Sequence, residues 1–286
     1  MEFTIAHETT YAYPEPVHES YTVLHLRPRT DQHQFCVRYD LRVIPHTHTS
    51  SYVDRLGNEV QHFAILREHR MLTIVARSNV VTLRPARPEP PSEATRSALE
   101  REPLADGAYD YLHESTYVTF ARELDAFVAE LPLAGERIGL WCHEVSRAIH
   151  RRFDYDTAAT SVHSTVVEAL NARAGVCQDY AHVMIAVLRK AGIPARYASG
   201  YIYRGSSDDR VLGAEASHAW CEAYLPPYGW VGFDPTNDRL IDDAFAKVAI
   251  GRDYRDVSPV RGVYKGSQAS EMAVNVAMEA LQAQQQ

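Results

Sequence analysis

The stretch Gly175-Val176-Cys177-Gln178-Asp179-Tyr180, continued by Ala181-His182-Val183-Met184-Ile185-Ala186-Val187-Leu188-Arg189-Lys190-Ala191 and closed by Gly192-Ile193-Pro194, decides the fold. Within it Tyr180, Met184, Val187, Leu188 and Ala191 recur on one helical face, and Gly192 with Pro194 supplies a C-terminal cap and a stop. Immediately afterwards the apolar period changes from about 3.6 to two. Ala195 to Tyr203, Ser217 to Leu225 and Gly229 to Asp234 read as strands, the last two joined through Pro226-Pro227-Tyr228. Upstream, Ile138, Trp141, Cys142, Val145 and Ile149 mark one face of a helix from about Glu136 to Arg152. A shorter helix follows from about Thr165 to Ala174, with Val166 and Leu170 turned inward. Helices precede a run of antiparallel strands, which is an α+β layout.

Further toward the N-terminus the helical period vanishes. Thr22 to Arg27, Phe35 to Val43 and Leu72 to Ser78 alternate or are β-branched, with Pro28, Pro45 and Leu56-Gly57-Asn58 between them. Residues 1–83 therefore read as an antiparallel β domain. Pro85, Pro88, Pro90, Pro91 and Pro103 then mark a stiff connector over 84–105, and residues 106–286 read as a core of helices packed on an antiparallel sheet. Near the end Val274, Val276 and Met278 alternate with Asn275 and Glu279, which predicts a final strand, and Gln282 to Gln286 read as a frayed end.

Composition narrows the function classes. Of 286 residues, 29 are basic and 37 acidic, a formal charge of −8. Such a chain lacks the basic footprint needed to coat nucleic acid or an anionic membrane, so neither is expected as a partner. No run of about 18 apolar residues predicts a spanning helix. The start, Met1-Glu2-Phe3-Thr4-Ile5-Ala6-His7, has no basic or apolar leader, so a cytoplasmic protein is expected. The four cysteines, Cys36, Cys142, Cys177 and Cys221, have no paired spacing, which argues against a disulfide scaffold or a zinc knuckle. Each is by default a small buried hydrophobe.

Cys177 departs from that default because it sits where a glycine-containing loop enters a helix. The first-turn amides and the positive end of the helix dipole favour an anion there, and a thiolate is the form of cysteine that attacks carbonyls. A free thiol is only a few per cent ionised at neutral pH, so it needs an imidazole. His218, in Ala216-Ser217-His218-Ala219-Trp220-Cys221-Glu222, shares one strand face with Trp220, Glu222 and Tyr224. Asp234 ends the next strand, in Gly229-Trp230-Val231-Gly232-Phe233-Asp234-Pro235-Thr236-Asn237. If Leu225 pairs with Gly229, Trp220 faces Asp234 and His218 becomes its diagonal neighbour on the same face. A slip of one residue would send Asp234 to the other face, and Asp234-Pro235-Thr236 has a competing reading as a simple Asx turn. Each residue alone is weak evidence. Taken together, the order Cys, His, Asp across a helix tip and two strands is that of a papain-like nucleophilic site.

The segments Gly175 to His182, Gly192 to Tyr197, Ser217-His218-Ala219-Trp220 and Gly229 to Thr236 resemble the bacterial transglutaminase-like family, whose members often carry the label of cysteine protease. The N-terminal third resembles, by less specific motifs, the β-rich domain that precedes the core in that family. By position the resemblance makes Cys177 the nucleophile, His218 the general base and acid, and Asp234 the orienting carboxylate, at intervals of 41 and 16 residues. It implies amide-bond acyl transfer through a Cys177 thioester: peptide or isopeptide hydrolysis, or transglutaminase-type transfer to an amine. Hydrolysis is placed ahead of cross-linking, because nothing resembles a calcium loop. The Cys177 amide would hold part of the oxyanion, Tyr155 in Phe153-Asp154-Tyr155-Asp156 is the candidate second donor, and Trp220 is expected to wall the cleft. Gln178 and Asp179 are expected to satisfy loop or helix amides.

The remaining polar signals point elsewhere. His46 and His48, on an expected strand, lack a third ligand, so no metal and no cofactor is called for. His143 and His150 read as solvated, His182 as structural, His163 as a loop residue at the cleft rim, and Asp208-Asp209 as surface. The expected partner is a peptide or protein substrate, and a homo-oligomer is left open. The alternative from another class is a non-catalytic module that binds a peptide or partner on the same fold.

Overall fold

The structure is a computed structural model that describes residues 1–101, 107–205, 211–214, 216–267 and 269–281. Five strands open the chain: β1 (Glu2–Leu24), β2 (Gln34–Ile44), β3 (Thr49–Val53), β4 (Glu59–Ile65) and β5 (His69–Thr82). All pair antiparallel, in the order β2-β5-β1-β4-β3. The first half of β1 alternates strictly, with Phe3, Ile5, His7 and Thr9 buried. Its ladder with β5 is interrupted between Ala12 and Val17. Pro14 and Pro16, which have no amide hydrogen to donate, lie in that gap. There β1 leaves β5 for β4, and the sheet curls.

The helical part follows as α1 (Arg96–Arg101), a 3-10 turn at Ala108–Leu112, α2 (Arg122–Ala129), α3 (Ile138–Arg152), β6 (Asp154–Tyr155), α4 (Val166–Ala172), β7 (Ala174–Gly175) and α5 (Cys177–Lys190). The proposed connector is not a free tether. It contains α1, and the Pro91 carbonyl packs so closely on Gly139 of α3 that a β-carbon there would meet it at 2.0 Å. The expected end of the connector, with Pro103, lies outside the described residues. Helix α4 stops before Ala174 because Arg173 turns left-handed, φ 52°, and sends the chain into β7.

A second antiparallel sheet comes from β8 (Ala195–Ile202), β9 (His218–Leu225), β10 (Gly229–Asp234), β11 (Arg239–Leu240) and β12 (Phe245–Gly251), in the order β11-β10-β9-β8-β12. Ala219, Cys221 and Ala223 of β9 and Tyr197 and Tyr201 of β8 belong to the same apolar cluster as α5. Small residues on β9 let the helix lie close. Every residue of α5 from Cys177 to Arg189 is buried, so the helix is enclosed around its circumference rather than along one stripe. Arg189, buried at its far end, is satisfied by the carbonyls of Ala195, His113 and Arg252.

The chain ends with α6 (Tyr254–Val257), β13 (Val260–Lys265) and β14 (Glu271–Ala280). The alternation around Val276 does form a strand, but both final strands join the N-terminal sheet by pairing with β1. A division at residue 106 thus assigns to the core two strands that hydrogen-bond to the other sheet. The two sheets also share apolar packing. Phe3, Ile5, Val80 and Val276 lie in one cluster with α3 and α5, and each fully buried side chain contributes about 1.5–3 kcal/mol. Edge strand β12 is covered by carboxamides from the N-terminal sheet and its loop. Gln34 bonds both the amide and the carbonyl of Lys247, and Asn58 does the same at Ile250. These bonds occupy backbone groups that an open sheet edge would expose.

Candidate active site

Cys177 is the first residue of α5, and its turn is built around a glycine. A β-carbon on Gly175 would meet Asp179 Oδ2 at 2.4 Å. That oxygen accepts from the Val176 amide at 2.8 Å and from the Thr160 hydroxyl at 2.7 Å. Asp179 therefore closes the helix start, as expected of it, and burial raises its pKa. Gln178 donates to the Val162 carbonyl. Parallel pairing of β6 with β7 sets Tyr155 directly across from Gly175, two residues before the sulfur.

The β9–β10 hairpin has the register read from the sequence, Leu225 opposite Gly229 and Cys221 opposite Phe233. Asp234 comes next in line, and its Oδ2 lies 2.8 Å from His218 Nε2. The Asx turn is present as well: Oδ1 accepts from the Thr236 amide at 2.9 Å. The two competing readings of Asp234 coexist because they use different oxygens. Asn237 adds two further donors, its side-chain nitrogen to Oδ2 at 2.8 Å and its amide to Oδ1 at 3.3 Å.

Burial opposes charge on both members of this pair, and their mutual attraction wins. Against its own desolvation the His218 pKa is pushed up to about 10 by the Asp234 carboxylate and, after it, by the Cys177 sulfur. Asp234 is likewise held below the usual carboxylate range, despite burial, by His218 and by the donors from Asn237 and Thr236. Asp234 takes Nε2 and leaves Nδ1, which has no hydrogen-bond partner, as the ring nitrogen available to Cys177. Cys177 is 8% exposed and His218 1%, so the site is nearly closed. Burial raises the pKa of Cys36, Cys142 and Cys221.

Trp220 is not the wall of an open cleft. It is fully buried behind His218, ring centroids 6.4 Å apart, and packs on Phe245 at 5.5 Å. Strand alternation put it on the face of His218, but Val211, Ile241, Phe245 and Leu56, from the loop between β3 and β4, share that cluster and enclose it. Tyr155 is half-buried against the main apolar cluster. His182 is structural: Nε2 accepts from the Tyr254 amide, the ring stacks on Tyr117, and burial lowers its pKa to about 4. His163 is exposed and bonds the Tyr117 hydroxyl at 3.3 Å. His150 is exposed as expected, with its ring on the Thr236 carbonyl, and His143 is half-buried rather than fully solvated. His46 and His48 occupy the loop between β2 and β3 rather than a strand, and the described residues contain no group of three or more metal-ligating side chains. Asp208-Asp209 lies outside the described residues. Among those residues no helix is long and apolar enough to cross a membrane.

Comparison with known proteins places the fold in a family. Residues 142–235 match the transglutaminase-like superfamily and residues 3–81 the bacterial transglutaminase-like N-terminal region. An uncharacterized protein of Mycobacterium leprae is 33% identical over 282 residues, spanning 95% of this chain and 96% of that one. The chain belongs to the bacterial transglutaminase-like family. A crystal structure of a "putative cysteine protease" from Cytophaga hutchinsonii shares this transglutaminase-like fold with a TM-score of 0.77 at 20% identity, covering 99% of this chain and 91% of that one. A protein-glutamine gamma-glutamyltransferase of Pseudomonas aeruginosa is 32% identical over 99 residues, 31% of this chain and 15% of that protein.

Two residues of this candidate site escaped the sequence reading. Asn237 stood inside a quoted motif, but nothing local says its side chain turns back on Asp234. Gly213, φ 80°, packs against the imidazole so that a β-carbon would lie 2.6 Å from His218 Nδ1. Contact between residues of different elements leaves no periodic signal.

Proposed function

We propose that this protein catalyses cysteine-dependent acyl transfer from an amide of a peptide or protein, through a thioester on Cys177. The observation that carries the reading is the 2.8 Å bond between buried His218 and Asp234, with the second imidazole nitrogen left for a cysteine at a helix start. The helix N-terminus and the imidazolium both favour negative charge at the sulfur. The thiolate adds to the amide carbonyl, forming a C–S bond, and the oxyanion is held by the Cys177 amide with Tyr155 as the second donor. His218 gives its proton to the leaving nitrogen as the C–N bond breaks. Water or a primary amine then adds to the thioester, His218 takes the proton released, and the C–S bond breaks to restore the thiolate. Glutamine side-chain carboxamides are the first acyl donors to try, given the segment shared with the Pseudomonas aeruginosa enzyme.

Limited alkylation with iodoacetamide, read by mass spectrometry, tests the reading. Cys177 should be modified well before Cys36, Cys142 and Cys221, and the advantage should disappear in His218→Ala. Equal slow labelling of all four would favour a binding module without catalysis. A peptide library incubated with and without a primary amine then separates hydrolysis from transfer.

A further inference from the structure

The His218 ring is gripped on both sides, and both grips lead to Asn237. On one side Asp234 Oδ2 accepts from His218 Nε2 and from the Asn237 side-chain nitrogen, each at 2.8 Å. On the other side the backbone of Gly213 lies against Nδ1, where no side chain would fit. The residue before it, Leu212, is tied to the same carboxamide twice. Its amide donates to Asn237 Oδ1 at 2.8 Å, and its carbonyl accepts from Asn237 Nδ2 at 3.3 Å. The Asn237 carboxamide is thereby fully used, with one acceptor and two donors each given a partner. Its orientation is dictated by chemistry, since only nitrogen can face the carboxylate and only oxygen can face the Leu212 amide.

We propose that Asn237 is the positioning residue of this site, a strap that fixes Asp234 and the 212–213 backbone together so that the imidazole keeps one orientation between them. The inference rests on the reading of His218 as the partner of Cys177. Asp234 has four donors on two oxygens: the Thr236 and Asn237 amides hold Oδ1, while Oδ2 has His218 and the Asn237 side-chain nitrogen. The Asn237 side chain thus holds the oxygen that His218 uses, from three positions along the same turn. It acts through Asp234 and the 212–213 backbone. Other charged groups near the turn are engaged elsewhere: Asp238 faces Arg147 at 3.7 Å with His143 close by, His150 bonds the Thr236 carbonyl, and Arg239 pairs with Asp242.

The test uses the full chain and two variants. The rate of Cys177 alkylation by iodoacetamide is followed against pH, alongside the low-field proton resonance of an imidazole N–H bonded to a carboxylate, assigned by its loss in His218→Ala. In Asn237→Ala the resonance should broaden or vanish, and alkylation near pH 6 should slow by about tenfold or more while the rate at high pH is retained, because the sulfur then titrates like an ordinary thiol. Asn237→Asp keeps the acceptor for Leu212 but sets a second carboxylate against Asp234, and two such groups hold one shared proton. Its resonance should survive at low pH and disappear as that proton leaves on raising the pH, a step absent from the parent protein. A resonance and alkylation profile unchanged in Asn237→Asp, or in a folded Asn237→Ala, would overturn the proposal while leaving the nucleophile assignment intact. Absence of the resonance and of preferential Cys177 labelling in the parent protein would instead overturn the reading of the site itself.

Discussion

Replacing Gly175 by alanine should damage the nucleophile turn by a route that can be isolated. The new methyl group would sit 2.4 Å from Asp179 Oδ2, inside contact distance, and φ at this position is 154°. Asp179 is 1% exposed and has nowhere wet to go, so relief of the clash breaks its bonds to the Val176 amide and the Thr160 hydroxyl. A buried donor or acceptor left without a partner costs about 1–3 kcal/mol, and an unfavourable backbone angle about 1–3 kcal/mol more. The sum is roughly 2–6 kcal/mol, or a Tm lower by about 4–24 °C at about 2–4 °C per kcal/mol. Denaturant titration of Gly175→Ala, Asp179→Ala and the double variant closes a cycle. With the carboxylate gone the methyl has room, so the double variant should be more stable than the sum of the single losses predicts, by about 1 kcal/mol or more. Cys177 alkylation should slow in Gly175→Ala and recover in part in the double variant. Strict additivity, within about 0.5 kcal/mol, would refute the idea that the glycine exists to admit Asp179.

Other consequences are equally open to measurement. Cys177→Ala should abolish turnover and leave the melting temperature nearly unchanged; a large drop would mark the residue as core packing. Because the folded His218 pKa lies near 10, above the ordinary 6.5, its ion pair stabilises the fold fully below about pH 6.5 and progressively less as pH rises through 10. The stability difference between the parent and His218→Gln, followed by thermal melts, should shrink over that interval. Glu222 is buried between Arg196 and Lys247, which hold its pKa well below the usual range in spite of burial. Its contribution is present above the ordinary value of 4.5 and fades as pH falls. Glu222→Ala should cost about 3–5 kcal/mol near neutrality by stranding Arg196 and leaving Lys247 with Asp31 alone, with a smaller deficit in acid.

The helices and strands that carry Cys177, His218 and Asp234 were legible because each has a period, a cap or a turn of its own. The register of β9 on β10 could be reached from a three-residue loop and a strict alternation, and it alone brought His218 to Asp234. What stayed hidden was every relation between segments far apart in sequence. The exposed-looking face of Trp220 is enclosed by Leu56 of the loop before β4 and by Val211 and Ile241. The connector is docked through Gly139, and the terminal strand that looked like part of the core belongs to the first sheet. Asn237 was quoted and passed over for the same reason: its role depends on Leu212, in a loop that has no pattern to read.

The pairing of β1 with β14 makes the first sheet wait for a strand that lies far downstream in the chain. Phe3 stands opposite Ala280, so one flank of β1 stays bare until β14 has left the ribosome. A nascent chain halted anywhere before residue 271 would leave the Phe3–Ala12 flank of β1 as an open sheet edge, which makes such truncation products natural seeds for clumping rather than inert fragments.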